Sequence, residues 1–132
     1  MNDISLAKDT LLRFMQEMYS WERKATKNLR SQEYKDMLRS ELSNIFERFC
    51  TSKKTLRSRE KSLSVRFPLE YKLETHPIVN QEDEGKYTFF YIKEDRSGLE
   101  NLYRFRMIFK NKEWRIDKKE WFDNGNWVSY PL

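Results

Sequence analysis

His76 and Cys50 are the sole imidazole and thiol in this chain of 132 residues, so general-base, nucleophilic or zinc chemistry of the familiar kinds would have to be built on one of them. Neither has suitable surroundings in sequence. His76 stands directly before Pro77 in a polar junction between strand-like segments and reads as a surface residue. Cys50 closes an apolar stripe and reads as a small buried hydrophobe, with Lys53 and Lys54 only weak support for an activated thiolate. One histidine and one cysteine cannot make the usual zinc arrangements. Gly85, Gly98 and Gly125 are isolated, each in a turn, so there is no glycine loop to cradle a phosphate. No cofactor and no metal are expected.

The residues left to carry function are aromatic. Three of the four tryptophans, Trp114, Trp121 and Trp127, fall within fourteen positions near the C-terminus, followed by Tyr130. Each indole buries on the order of 200 Å² and its N–H needs a partner, so such a run closes a core or lines a cavity. Asn111-Lys112 lies between two stretches that alternate apolar and polar residues, the pattern of a β-hairpin turn. The alternation predicts Trp114 and Ile116 facing inward, with Arg115 and Asp117 facing water.

This final hairpin, a basic residue and then Trp114-Arg115-Ile116-Asp117-Lys118-Lys119-Glu120-Trp121-Phe122-Asp123 with an aromatic tail, resembles the last strands of proteins with the nuclear transport factor 2-like fold. It is most similar to the immunity proteins of that fold in bacterial polymorphic toxin systems. The resemblance extends to Phe14-Met15-Gln16-Glu17-Met18 with Trp21-Glu22, to the stretch from Ile45 to Thr51, and to the Ser62 to Pro68 segment. It implies a small binding protein that neutralises a toxin made by its own cell. Enzymes of the resembled fold place an Asp or His with a Tyr inside the cone formed by sheet and helices, which would nominate Asp117, Asp123 and Tyr130. Nothing in the sequence brings a second carboxylate or a histidine to Asp117, so an enzyme is not the expectation.

Stepping from these residues to the elements that hold them, Asp3 or Asn2 can cap a long helix. Its inward residues recur at Ile4, Leu11, Phe14 or Met15, Met18, Trp21 or Glu22, Ala25 and Leu29, close to the 3.6-residue period. A second helix begins near Ser31 or Gln32, with Tyr34, Leu38, Leu42, Ile45 and Phe49 as its stripe. These stripes follow the helical period without convergent polar groups, so they read as core and not as a ligand pocket. Ser62 to Phe67 alternates as a strand, a short strand begins at Pro77-Ile78-Val79, and Gln81 to Gly85 is an acidic turn. Lys86 to Lys93 reads as a strand buried on both faces. Leu102 to Lys110 is a strand with Tyr103, Phe105, Met107 and Phe109 on one side and Arg104, Arg106 and Ile108 on the other.

Two helices followed by short-linked strands predict an α+β domain spanning residues 1–132, with N-terminal helices packed on a curved, mostly antiparallel sheet; the resemblance implies that this is the nuclear transport factor 2-like cone.

Composition narrows the partners. The net charge is +5, and all of the excess lies between Thr51 and Arg66, which has six basic residues against Glu60 alone. That stretch holds no aromatic residue, whereas single-stranded nucleic acid binding interleaves the two, so it reads as a solvated connector. No apolar run approaches the roughly 20 residues that span a bilayer, and no secretory leader is evident, which points to the cytoplasm. The expected partner is a cognate toxin protein encoded next to this one, neither a membrane nor nucleic acid, with a homodimer through the sheet left open. The candidate contact residues are the acidic Glu82, Asp83, Glu84, Glu94 and Asp95 and the aromatic Trp121, Phe122, Trp127 and Tyr130. The alternative function is a small-ligand-binding protein or enzyme of the same fold.

Overall fold

The computed structural model describes residues 3–28, 31–54, 56–61, 63, 69–96 and 98–132. The predicted strand from Ser62 to Phe67 lies outside the described residues apart from Leu63, which packs against the core. Leu29 also lies outside them.

Helix α1 spans Ile4–Asn28. The Asp3 carboxylate starts it, accepting hydrogen bonds from the Ser5 amide at 2.9 Å and the Ser5 hydroxyl at 2.7 Å, which satisfies a donor that the first helical turn cannot. Ala7, Leu11, Phe14, Met15, Met18, Trp21 and Ala25 form its buried stripe. Helix α2, Gln32–Phe49, answers with Leu38, Leu42, Ile45, Phe46 and Phe49. Tyr34 does not belong to that stripe: it stands one turn ahead of Leu38, beyond the core, and is exposed.

Polar contacts run in opposite order along the two helices, so they lie antiparallel. Glu17 pairs with Arg48, Lys24 with Glu41 at 2.7 Å, and the Trp21 indole donates to the Leu38 carbonyl at 2.9 Å.

The sheet is a meander of five antiparallel strands in sequence order: β1 (Ile78–Glu84), β2 (Tyr87–Arg96), β3 (Leu99–Lys110), β4 (Glu113–Asp123) and β5 (Asn126–Ser129). The β3–β4 turn, Asn111-Lys112, has positive φ at both residues, as the twist of a two-residue hairpin requires. Residues Glu82, Asp83 and Glu84, expected in a turn, extend β1 instead; the reversal is made one step later at Gly85, whose φ of +76° the glycine permits.

One face of the sheet packs on the helices through Phe90, Ile92, Tyr103, Phe105, Met107, Trp114 and Ile116. The other carries no helix among the described residues. Strand β2 is therefore not buried on both faces, and its outward Tyr87, Phe89 and Tyr91 are half-buried.

A β-bulge decides what β4 presents. Arg106 pairs with Lys118 but Met107 pairs with Ile116, leaving Asp117 as the extra residue. After it the alternation reverses, so Lys119 points into the core and Lys118 and Glu120 point out. Asp117 is buried, contrary to the simple alternation, because the bulge turns it toward Arg106 and Lys53.

The basic stretch is also more than a solvated connector. Arg59 is buried and donates to the Glu22 carboxylate at 3.0 Å, while Arg57 holds Glu60 and Glu47 at 2.7 and 3.1 Å. Beyond it, the amides of Glu70 and Tyr71 donate to Glu22 at 3.4 and 3.1 Å, so one carboxylate inside α1 fastens both ends of the connection to the sheet.

Candidate functional site

Two groups of polar side chains stand out, one inside the cone and one on its open face. Inside, His76 is buried and not superficial as its sequence context suggests; its Nε2 lies 2.7 Å from Glu94 Oε2, and Nδ1 lies 3.0 Å from the Lys72 carbonyl. The Thr75 hydroxyl lies 2.9 Å from the same Nδ1. Asn101 donates to the other oxygen of Glu94 at 2.9 Å. Lys119 projects into the same region with its ammonium 4.9 to 5.4 Å from the ring centres of Tyr71, Tyr103, Phe105 and Tyr130, an arrangement in which the ring quadrupoles replace lost hydration. These groups line a slot whose free space for a water-sized molecule is about 10 Å³. That holds one water and no substrate. Cys50 is buried as well, and burial raises its thiol pKa far above the usual range, so it is not a nucleophile.

On the helix-free face, the period-2 alternation of three strands aligns aromatic and cationic side chains. Arg104 on β3 has its guanidinium 4.9 Å from the ring centre of Phe89 and 4.2 Å from that of Trp127. Arg106 lies 4.5 Å from Tyr87. Trp127 makes ring contacts with Phe122 at 5.1 Å and Tyr91 at 5.8 Å.

Two carboxylates beneath them fix the cations: Glu120 accepts from Arg104 Nε at 2.7 Å, and Asp117 accepts from Arg106 Nη2 at 2.5 Å and Lys53 Nζ at 3.0 Å. Burial alone would raise the pKa of both acids, but hydrogen bonds and charge from Lys53 and Arg106 at Asp117, and from Arg104 at Glu120, outweigh it and hold both below their ordinary values. Tyr91 is shifted upward by burial and by its hydrogen bond to Glu82, which joins β1 to the patch.

A lowered carboxylate pKa means stability that is present above the unfolded value and lost as pH falls. Asp117→Asn should therefore destabilise the protein at pH 7, and the gap to the wild type should close as pH drops below about 3.8, the ordinary value for this acid. Chemical denaturation at several pH values between 3 and 7 checks this; a gap that widens in acid contradicts it.

Of the nine candidate contact residues, Glu82, Phe122 and Trp127 come together on this face. Glu84, opposite Tyr87, is exposed on the same face farther along the edge strand, and Asp83, opposite Thr88, is exposed on the other. Asp95 is exposed at the far end of β2, where its side chain accepts from the Gly98 amide. Glu94 is buried against His76. Trp121 and Tyr130 contact each other at 6.3 Å and pack against the core from the inner side. Sequence reasoning passed over Arg104, Arg106, Tyr87, Phe89, Tyr91 and Lys118. The signal was present in the alternation of β2 and β3, whose second face was polar and aromatic together.

The family described as NTF2 fold immunity protein matches residues 6–131. Immunity protein RhsIA of Dickeya dadantii (strain 3937) is 34% identical over 137 aligned positions that cover the whole of both chains. No solved structure matches the chain. The chain belongs to the NTF2 fold immunity protein family, and its two helices on a five-stranded antiparallel sheet are the α+β architecture of that fold. Its function is immunity. No described helix is long and apolar enough to cross a membrane.

Proposed function

We propose that the protein neutralises its cognate toxin by binding it directly, acting as one unit over residues 1–132, and that the helix-free face of the sheet is the surface used. The observation that carries this reading is the cluster of Trp127, Phe122, Tyr91, Arg104 and Arg106 on a sheet face that no helix among the described residues covers. Tryptophan, tyrosine and arginine supply most of the energy at protein interfaces, because each combines large contact area with a directed polar group. The small-ligand or enzyme reading has less support: the interior slot has room for a single water, and in the wider cleft of about 400 Å³ that reaches Asp117 and Tyr130 the Asp117 carboxylate is already held by Arg106 and Lys53. The toxin is expected to be encoded beside this protein and to be met in the cytoplasm.

The test is co-expression of that neighbouring toxin domain with the wild-type protein, together with size-exclusion chromatography of the purified pair. Restored growth and co-elution are expected. A folded protein that neither binds nor protects ends the reading; protection without binding would point instead to chemistry on the toxin or its product.

A further inference from the structure

We infer that the toxin surface received by the helix-free sheet face is acidic, with an apolar segment that seats on Trp127 and Phe122. This rests on the proposed toxin binding and adds the chemistry of the partner. Over β3 and β4, at the centre of this face, the cations reach solvent and the acids do not. The side chains of Arg104, Arg106, Lys118 and Lys53 are 22, 24, 37 and 48% exposed, whereas those of Asp117 and Glu120 are 6 and 9% exposed. The carboxylates therefore act as internal struts: they hold the guanidiniums in place while a partner approaching from outside meets positive charge. Phe122 is exposed beside them and supplies apolar contact next to Trp127.

The same geometry argues against two other occupants. Nucleic acid bases stack on open ring faces, yet Arg104 already fills the space between Phe89 and Trp127, and Arg106 lies over Tyr87. A second copy of this chain, centred face to face on β3 and β4, would bring the half-buried Arg104, Arg106 and Lys118 against the same cations across a two-fold axis, and like charges in contact oppose docking. Glu82 and Glu84 are exposed on the same face, as are Asp95 and Glu100 at its far end, but the first two lie on β1, the border strand away from Lys118 and Lys53. An acidic partner surface centred over β3 and β4 faces the cations and leaves these acids at its margin.

The experiment measures association and dissociation rates of the purified neighbouring toxin domain with four forms of the protein, each shown to be folded by its thermal melt, at low and physiological salt. The forms are the wild type, Lys53→Gln with Lys118→Gln, Phe122→Ala with Trp127→Ala, and Glu82→Gln with Asp83→Asn and Glu84→Gln. Neutralising the two lysines should slow association at least fivefold at low salt and weaken its salt dependence. Removing the two aromatic side chains should speed dissociation about a hundredfold or more. The acid-neutralised edge strand should bind at least as well as the wild type, with association faster at low salt because like charges bordering the partner are gone. Should the Phe122/Trp127 variant fail to fold, Phe122→Ala alone and the lysine pair decide the matter, since all three side chains are exposed or nearly so.

Loss of binding only in the edge-strand variant would overturn the inference in favour of a basic partner on β1. Unchanged rates in every variant would place the toxin elsewhere and leave direct binding intact. A wild-type protein that does not bind the toxin would end both readings. Tight binding of an oligonucleotide that the lysine pair abolishes, or a wild-type dimer that Phe122→Ala breaks, would replace the acidic partner by nucleic acid or by a second copy.

Discussion

Glu22→Ala should cost about 3 to 5 kcal/mol of stability at pH 7, among the largest losses any single side chain can cause in this protein. Its carboxylate is fully buried in α1, where it accepts from Arg59 at 3.0 Å and from the amides of Tyr71 and Glu70. Removing it takes the carboxylate from a buried guanidinium and leaves two backbone amides without their acceptor. Arg59→Ala should cost a similar amount, because it leaves the acid buried without its cation. The double variant should lose clearly less than the sum of the two, and the difference is the coupling between them.

The pH dependence has a definite sign. Burial raises the pKa of Glu22 more than Arg59 lowers it, so the protonated form is the one the fold accommodates more easily. A raised carboxylate pKa gives stability that is present at low pH and lost as pH rises through the folded value. The penalty for Arg59→Ala should accordingly be smaller at pH 4 than at pH 7, because the lone acid is protonated more readily at the lower pH. Urea titrations of the four proteins at both pH values test this, and strictly additive losses would show that the pair is not coupled.

This pair also marks where sequence reading stops. The helical stripe of α1, the inward row Tyr103, Phe105, Met107 and Phe109 of β3, and the Asn111-Lys112 turn were legible because each obeys a local period or a local φ requirement. Arg59 and His76 were not, since their partners Glu22 and Glu94 lie 37 and 18 residues away, and a charged or polar residue in a connection looks solvated until that partner is known. The bulge at Asp117 was the other obstacle. Carried past it, simple alternation from Trp114 would point Lys118 and Glu120 toward the helices and Lys119 and Trp121 away from them, whereas one inserted residue reverses all four. The candidate surface was legible in part: Trp127, Phe122 and Glu82 stood out by type, but the arginines that join them belong to strands whose order only the fold supplies.

The same β4 strand carries the second large effect. Trp114→Ala should cost about 3 to 5 kcal/mol, because the indole is buried against Phe109 at a ring distance of 5.3 Å and its removal leaves a cavity where the hairpin meets the core. Arg115, its outward neighbour, would by exposure alone be worth under about 1 kcal/mol. Its contacts raise that figure. At the end of α2 the Glu47 carbonyl would normally accept from the Thr51 amide, but that amide donates instead to the Ile116 carbonyl at 2.9 Å, where the chain leaving the helix bridges to β4. Arg115 Nη1 takes its place, donating to the Glu47 carbonyl at 2.7 Å and the Cys50 carbonyl at 2.9 Å. A cation at a helix C-terminus is also favoured by the helix dipole. Arg115→Ala should therefore cost about 1.5 to 3 kcal/mol, as for hydrogen bonds from a charged donor. Arg115→Lys should recover only part of it, since one ammonium lacks the planar fork. Denaturant midpoints of the three variants decide the matter. If Arg115→Ala costs as much as Trp114→Ala, the indole is not packed as described; if it costs nothing, α2 ends without help from β4.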